Sequence, residues 1–225
     1  MDALTNDVKI RPAKKRSPYS LKVVWNTIRH GLFLQGLRHG LSKLGIDIMP
    51  YYWVHEETIP TSEPKVRTTQ NFTFKTLTPS ELDSILDHSD IINEKKIHQS
   101  FKNGHKCVGL IHEENIAAYM FIELNSFEIK KRKFELNSNE AYLLNMYTLH
   151  DYRGKNLAPY LRYQCYRFLE HQGITTYYSV SNYFNKSAIK FKKKLNSRPL
   201  KLFMSIELFN AVQWNFRLKT YPELA

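Results

Sequence analysis

The segment that most narrows what this chain can become runs from residue 143 to 173, LLNMYTLHDYRGKNLAPYLRYQCYRFLEHQG. It reads as a buried strand over 141–148 that passes through a basic loop directly into a helix. Leu157, Leu161, Cys165 and Phe168 recur at spacings of four, four and three, which gives the helix one buried stripe, and Gly173 stands where the helix must stop. A strand that delivers Arg153-Gly154-Lys155-Asn156 to a helix's first turn gathers unpaired N–H groups, the positive end of the helix dipole and two cationic side chains in one place. Such a place binds anions. The same residues also suit a basic surface loop whose glycine completes a turn, and the loop alone leaves both readings open. It matches neither GxxxxGK[ST] nor GxGxxG, which argues against nucleotide hydrolysis and nicotinamide binding.

The flanking sequence supplies the rest of an α/β architecture. A short strand over 72–77 feeds a helix announced by Thr78-Pro79-Ser80-Glu81, a capping box with proline at the first helical position, followed by Leu82, Ile85 and Leu86. Two apolar runs, 107–111 and 116–122, flank His112-Glu113-Glu114-Asn115 and read as a hairpin. Lys130-Lys131-Arg132-Lys133 reads as a solvated turn or a binding patch. Residues 175–180 form a strand and 186–195 a small helix with Ala188, Phe191 and Leu195 on one side. Met204, Ile206 and Leu208 alternate, as do Val212, Trp214, Phe216 and Leu218, making a closing hairpin around Asn210-Ala211. The sum is a mixed central sheet with helices on both faces.

Before this lies an extension. Residues 1–19 are polar and carry Lys14, Lys15 and Arg16 beside Pro12 and Pro18, which reads as a mobile basic leader. Over residues 20–44, Leu21, Val24, Trp25, Ile28, Leu32, Leu37, Leu41 and Leu44 follow helical spacing, while four glycines weaken a free helix. This amphipathic stretch needs a surface, which is the rest of the protein, a second copy in a homodimer, or an anionic membrane in peripheral contact. Residues 46–69 hold Pro50, Pro60 and Pro64 and read as a connector. The expected division is therefore 1–69 for leader, helical extension and connector, and 70–225 for the catalytic-type domain.

The loop's arrangement, together with the strand and helix order, resembles the GCN5-related N-acetyltransferase superfamily over about residues 70 to 210. In that family the pyrophosphate loop reads Arg or Gln, two variable residues, Gly, one variable residue, then Gly or Ala. Arg153, Gly154, Lys155, Asn156, Leu157 and Ala158 occupy it here, with Asn156 where the middle glycine is usual. Asn185 and Ser187, after the next strand, match the family's Asn-led helix that meets the pantetheine or phosphate arm, although Asn185 also suits a plain helix cap. The resemblance implies an acyl-CoA cofactor, acetyl-CoA first, and assigns carbonyl and pantetheine contacts to backbone groups at Tyr147, Thr148 and Leu149. Lys192 stands at the family's thiolate-protonating tyrosine, which leaves Tyr183 as a substitute acid.

The chemistry so implied is attack of a neutral amine on an acyl thioester, which demands orientation, a proton acceptor and stabilisation of developing charge. His150, beside the loop, is a candidate base or relay, or a solvent-exposed structural residue. The expected acceptor is the amine of a small molecule, with an amino sugar as first choice. Two alternatives stand beside it: a noncatalytic acyl-CoA-binding or interaction module, and a long-chain N-acyltransferase working at a membrane.

Charge and composition bound the remaining classes. Thirty-three Lys and Arg against 21 Asp and Glu give +12, which favours phosphates, headgroups or nucleic acid without choosing among them. No reader motif or ordered basic-aromatic repeat points to a specific nucleic acid. Cys107 and Cys165 supply no CxxC, the adjacent His and Glu residues at 55–57 and 112–114 do not converge on a metal, and no run approaches a transmembrane length. A cytoplasmic protein, membrane-associated if residues 20–44 meet lipid, is the expected setting.

Overall fold

The computed structural model describes residues 33–56, 62–86, 94–209 and 211–222. Helix α1 (Phe33–Lys43) leads into strand β1 (Ile46–Glu56). Then come β2 (Thr73–Leu77), α2 (Pro79–Leu86), α3 (Glu94–Lys102), β3 (Lys106–His112) and β4 (Asn115–Glu123). The short strands β5 (Phe127–Ile129) and β6 (Arg132–Phe134) precede β7 (Glu140–Thr148), a 3-10 turn (His150–Tyr152) and α4 (Leu157–Glu170). The chain closes with β8 (Thr176–Asn182), α5 (Lys186–Lys193), β9 (Arg198–Leu208) and β10 (Val212–Thr220). Eight strands form one sheet in the order β10-β9-β1-β8-β7-β4-β3-β2, with β5 and β6 paired separately. All neighbours run antiparallel except β7 and β8. The mixed sheet flanked by helices is thus the one the sequence implies. The basic leader and the part of the amphipathic extension before Phe33 fall outside the described residues.

Residues 46–56, read from sequence as part of a connector, instead form β1 between β8 and β9. Its prolines misled. Pro50 stands one residue before the β1–β8 ladder begins at Tyr51, so its missing N–H costs that ladder no rung. Arg38 of α1 makes a two-pronged ion pair with Asp47 of β1, at 2.6 and 2.8 Å, fastening the helix to this strand. The basic turn between β5 and β6 is half tied down: Lys130 bridges Asp47 and Glu207, each at 3.0 Å, and the Arg132 guanidinium lies 4.4 Å from the Phe203 ring centroid.

Strand β4 shows how alternation builds two cores. Ala118, Met120 and Ile122 pack with Leu157, Leu161, Cys165 and Leu169 of α4 on one face of the sheet. Tyr119 and Phe121 pack with Leu82 of α2 and Ile97 of α3 on the other. On that second face Trp53, Tyr142, Phe127 and Phe134 stack, which seats the β5–β6 hairpin against the sheet. The capping box forms as read: Glu81 accepts from the Thr78 N–H at 2.8 Å.

Candidate functional site

Strands β7 and β8 touch at one end only. Their parallel pairing runs from Glu140 with Thr176 to Tyr142 with Tyr178 and stops. Beyond it β7 pairs only with β4, and β8 only with β1, so the sheet forks. The divergence is sharpened by a bulge: Tyr119 to Phe121 of β4 is matched by Leu144 to Tyr147 of β7, one residue more, and Asn145 takes a φ of 50°. Parallel strands that separate leave backbone N–H and C=O groups to be met by side chains, water or a ligand.

The fork opens a cavity of about 740 Å³ that passes through the sheet. Leu143, Arg162, Phe191 and Lys192 line it on the α4 side, and Tyr142, Phe127, Ile129 and Val180 on the other. Two buried charged clusters stand in its walls. On the α4 side, Glu56 of β1 is fully buried, 3.5 Å from Arg162 and 3.6 Å from Lys192. Ser179 and Tyr166 both donate hydroxyl hydrogen bonds to it. Burial alone would raise the Glu56 carboxyl, but the two cations and two hydroxyls outweigh it and hold the group below the ordinary carboxylate value. Burial likewise pulls Lys192 down to about 8, against the attraction of Glu56. Arg162 Nε meets Glu56 as an ion pair without a hydrogen bond, and Nη1 has no hydrogen-bond partner among the described residues.

On the opposite side, His105 and Glu123 form the second cluster. Glu123 ends β4, and its Oε2 lies 2.8 Å from His105 Nε2, with side chains only 8% and 6% exposed. Its Oε1 accepts from the Asn125 N–H at 2.6 Å. His105 Nδ1 is buried without a hydrogen-bond partner among the described residues. Asn103, Ser126, Glu128 and Asn145 complete a polar wall here.

The basic loop lies at the start of α4. Gly154 takes a φ of 82° and Asn156 one of 64°, left-handed backbone that only glycine and, among side-chain-bearing residues, mainly Asn and Asp adopt at low cost. This explains Asn156 at a position where the resemblance expects glycine. Its side chain makes no cap to α4; Nδ2 donates to the Lys65 carbonyl at 2.8 Å instead. The Lys155 carbonyl accepts from Arg67 N–H at 2.9 Å, and Lys155 Nζ donates to Gln70 at 2.7 Å. Arg153 folds back on β7, donating to the Thr148 carbonyl at 3.2 Å and the Tyr147 hydroxyl at 2.9 Å. Leu149 N–H donates to Ala117 at 3.0 Å, and Leu157 is buried in the α4 core, with Ala158 next to it in the first turn.

Of the residues given catalytic or cofactor-binding roles from sequence, Asn185 lines the cavity, and so does Lys192, which stands at the family's tyrosine position. Asn185 also caps α5, its side-chain oxygen accepting from Ala188 N–H at 3.1 Å and from Ser187 Oγ at 2.8 Å. Tyr147, Thr148, Leu149 and the loop 153–158 gather at the α4 N-terminus instead. His150 is 81% exposed and pairs only with its neighbour Asp151 at 3.3 Å. Tyr183 is 45% exposed, with its ring 5.4 Å from that of Tyr52. The sequence reading missed His105, Glu123, Glu56 and Arg162. The available signal was Glu123 itself, a charge closing the apolar run 116–122. Among the described residues, no helix is long and apolar enough to cross a membrane.

The model of the acetyltransferase (GNAT) family matches residues 71–196, more than half of the chain. Among solved structures, a Drosophila protein is 13% identical with a TM-score of 0.52, covering 78% of this chain and 57% of its own. A GNAT-family acetyltransferase from Colwellia psychrerythraea is 14% identical with a TM-score of 0.54, over 72% of this chain and 57% of its own. The glucosamine N-acetyltransferase region of a fungal multi-domain β-N-acetylglucosaminidase is 11% identical with a TM-score of 0.55, over 77% and 23%. This chain therefore spans well under two thirds of each of these three proteins, and at such identities the likeness is one of fold. No curated protein matches the sequence.

Proposed function

The chain belongs to the acetyltransferase (GNAT) family, and on that premise we propose that it transfers an acyl group, acetyl first, from acyl-CoA to the amine of a small molecule. The observation that carries this reading is the cavity at the β7–β8 fork, which joins two faces of the sheet through one opening. Two reactants that approach from opposite faces meet there, and holding them so is the larger part of what this chemistry asks of a protein. Acyl-CoA supplies the activated thioester.

The residues present fit such a donor. Arg162 and Lys192 put two cations in the cavity wall, and β7 leaves its ladder with β8 beyond Tyr142, so backbone groups along the fork are open to a donor's carbonyl and amide groups. The first turn of α4 has no side-chain cap, and Arg153, Gly154, Lys155, Asn156, Leu157 and Ala158 would cradle a pyrophosphate there. Tyr147, Thr148 and Leu149 would meet the pantetheine arm, with Asn185 and Ser187 across from them. Asn103, Ser126 and Glu128 offer hydrogen bonds to hydroxyl groups, which favours an amino sugar among small amines. We place the protein in the cytoplasm.

Calorimetric titration of the full chain with acetyl-CoA, followed by a screen of amines for acetyl transfer, tests the reading. Saturable binding near one site per chain and product with an amine support it; folded protein that binds no acyl-CoA sinks it. A second reading, a longer acyl chain transferred at a membrane, is favoured by the exposure of Leu37 and Leu44 on and after α1. Tighter binding of octanoyl-CoA than acetyl-CoA, together with retention on anionic vesicles, would select it.

A further inference from the structure

We propose that the face of β1, β9 and β10 on the side of the sheet where Glu56 meets α4 is a contact between two copies of this chain, packed sheet on sheet about a two-fold axis. The inference stands apart from the acyl-transfer reading, and its test needs no turnover. It begins from β10, whose alternation is inside out. Gln213 and Asn215 point inward, where Gln213 Nε2 donates to Ser205 Oγ at 3.3 Å and Asn215 Nδ2 donates to the Tyr51 hydroxyl at 2.9 Å and the Lys130 carbonyl at 3.2 Å. Val212, Trp214, Phe216 and Leu218 point the other way and are 44%, 45%, 49% and 54% exposed. A slip of one residue against β9 would turn that apolar row toward the hairpin, so the register that holds it outward is specified by the polar contacts on the inner side.

The row is the edge of a wider apolar face. Leu208, Ile206 and Met204 of β9 stand opposite Val212, Trp214 and Phe216 on one side and Ile46, Ile48 and Pro50 of β1 on the other. Residues paired directly across a ladder share a face. These side chains carry no charge, and Ile48 is itself 38% exposed. The reverse of the same three strands is covered. There the β5–β6 hairpin lies against them, with Arg132 over the Phe203 ring and Lys130 bridging Asp47 and Glu207.

Area, chemistry and direction select a second copy as the occupant. Half-exposed side chains of this size leave on the order of 100 Å² each, so the face presents roughly 600 Å² per copy, and two faces together pass the ~1,000 Å² of a specific interface. A surface built only of apolar side chains complements itself, and homodimer contacts are the apolar class of protein interface. Two such sheet faces pack with their strands nearly aligned. An anionic bilayer fits less well, because surfaces that lie on it set cations beside their apolar residues and this face has none. The chain's own N-terminal stretch comes from the wrong side. Arg38 fastens α1 to Asp47, whose side chain alternates away from Ile46 and Ile48 and meets Lys130 on the hairpin side.

The test is sedimentation velocity of the full chain over a concentration series from about 1 to 100 μM. Wild type should reach twice the chain mass of 26.6 kDa. Each copy carries +12, so added salt should tighten the association rather than loosen it. Trp214→Lys and Phe216→Lys each set a charge on the face of both copies and should raise the dimer dissociation constant on the order of 100-fold, with circular dichroism unchanged. Arg217→Ala, on the other side of β10, should leave the constant where it is. Hydrogen exchange of wild type gives an arm without substitutions: segments over 204–218 should be more protected in the dimer than after dilution to monomer. A wild type that stays monomeric at the highest concentration overturns the proposal, and so does a dimer that both lysine variants keep or whose 204–218 exchange is the same after dilution. A monomer held by phosphatidylglycerol vesicles until Trp214→Lys releases it would give the face to lipid. A monomer whose 204–218 protection disappears with Leu21→Ser and Trp25→Ser would give it to the chain's own N-terminal stretch, and either result overturns the proposal.

Discussion

The two buried clusters that wall the cavity are built on opposite plans. Around Glu56 both oxygens are occupied by hydroxyls, and two cations, Arg162 through Nε and Lys192 through Nζ, stand within 3.6 Å. Around Glu123 both oxygens are again occupied, but by the Asn125 N–H and a single imidazole nitrogen, Nε2 of His105. The contrast also divides labour. The Glu56 cluster links β1, α4, α5 and β8, so it holds the fork in shape, while the His105–Glu123 pair ties only the start of β3 to the end of β4.

The largest effect that would break this comparison is Glu56→Gln. It leaves two buried cations with no counter-charge, and a loss of about 3–5 kcal/mol in chemical denaturation is expected. Replacing Glu56, Arg162 and Lys192 together by apolar residues should cost much less than the single change; equal losses would show that pairing is not the reason. Next in size, His105→Ala takes away one of the two groups on the buried Glu123 carboxylate and should cost about 1–3 kcal/mol in chemical denaturation, with His105→Gln recovering part of it. The pH dependence sharpens the same contrast. Because the folded Glu56 carboxyl lies below its ordinary value of 4.5, its contribution is complete above that pH and drains away as pH falls through the folded value. Acid denaturation of wild type should therefore show a loss below about pH 4.5 that the Glu56→Gln variant lacks.

Smaller effects belong to the loop. Gly154→Val forces a branched residue to a φ of 82°, and should cost about 1–2 kcal/mol and weaken acetyl-CoA binding measured by calorimetry. Asn156→Gly, at a φ of 64°, should change stability by no more than about 0.5 kcal/mol, since glycine adopts that backbone freely and only the Lys65 contact is lost.

What could be read in advance followed from local periodicity. The α4 stripe, the β3–β4 hairpin and the Thr78 capping box are each set by residues within one or two turns of one another, and they appear where their spacing put them. Strand β1 was hidden because Pro50 and the later prolines signal a break, whereas pairing with β8 and β9, more than a hundred residues away, decides its state. The site divides the same way. Loop 153–158 was visible as a motif, but His105 and Glu123 meet only because β3 and β4 bring residues from the two ends of a hairpin together; Glu123 stands out locally as the charge that closes an apolar run, and His105 carries no local signature. Lys192 looked like a missing tyrosine; its partner Glu56 lies on the strand that the prolines concealed.

The central claim is that the fork and the uncapped start of α4 together hold an acyl-CoA. The most direct measurement is calorimetric titration of acetyl-CoA into wild type and Gly154→Val under identical salt, with circular dichroism on both. The account expects saturable binding near one site per wild-type chain and clearly weaker binding by the folded variant. Equal affinity of the two proteins, or no binding by a folded wild type, would contradict it.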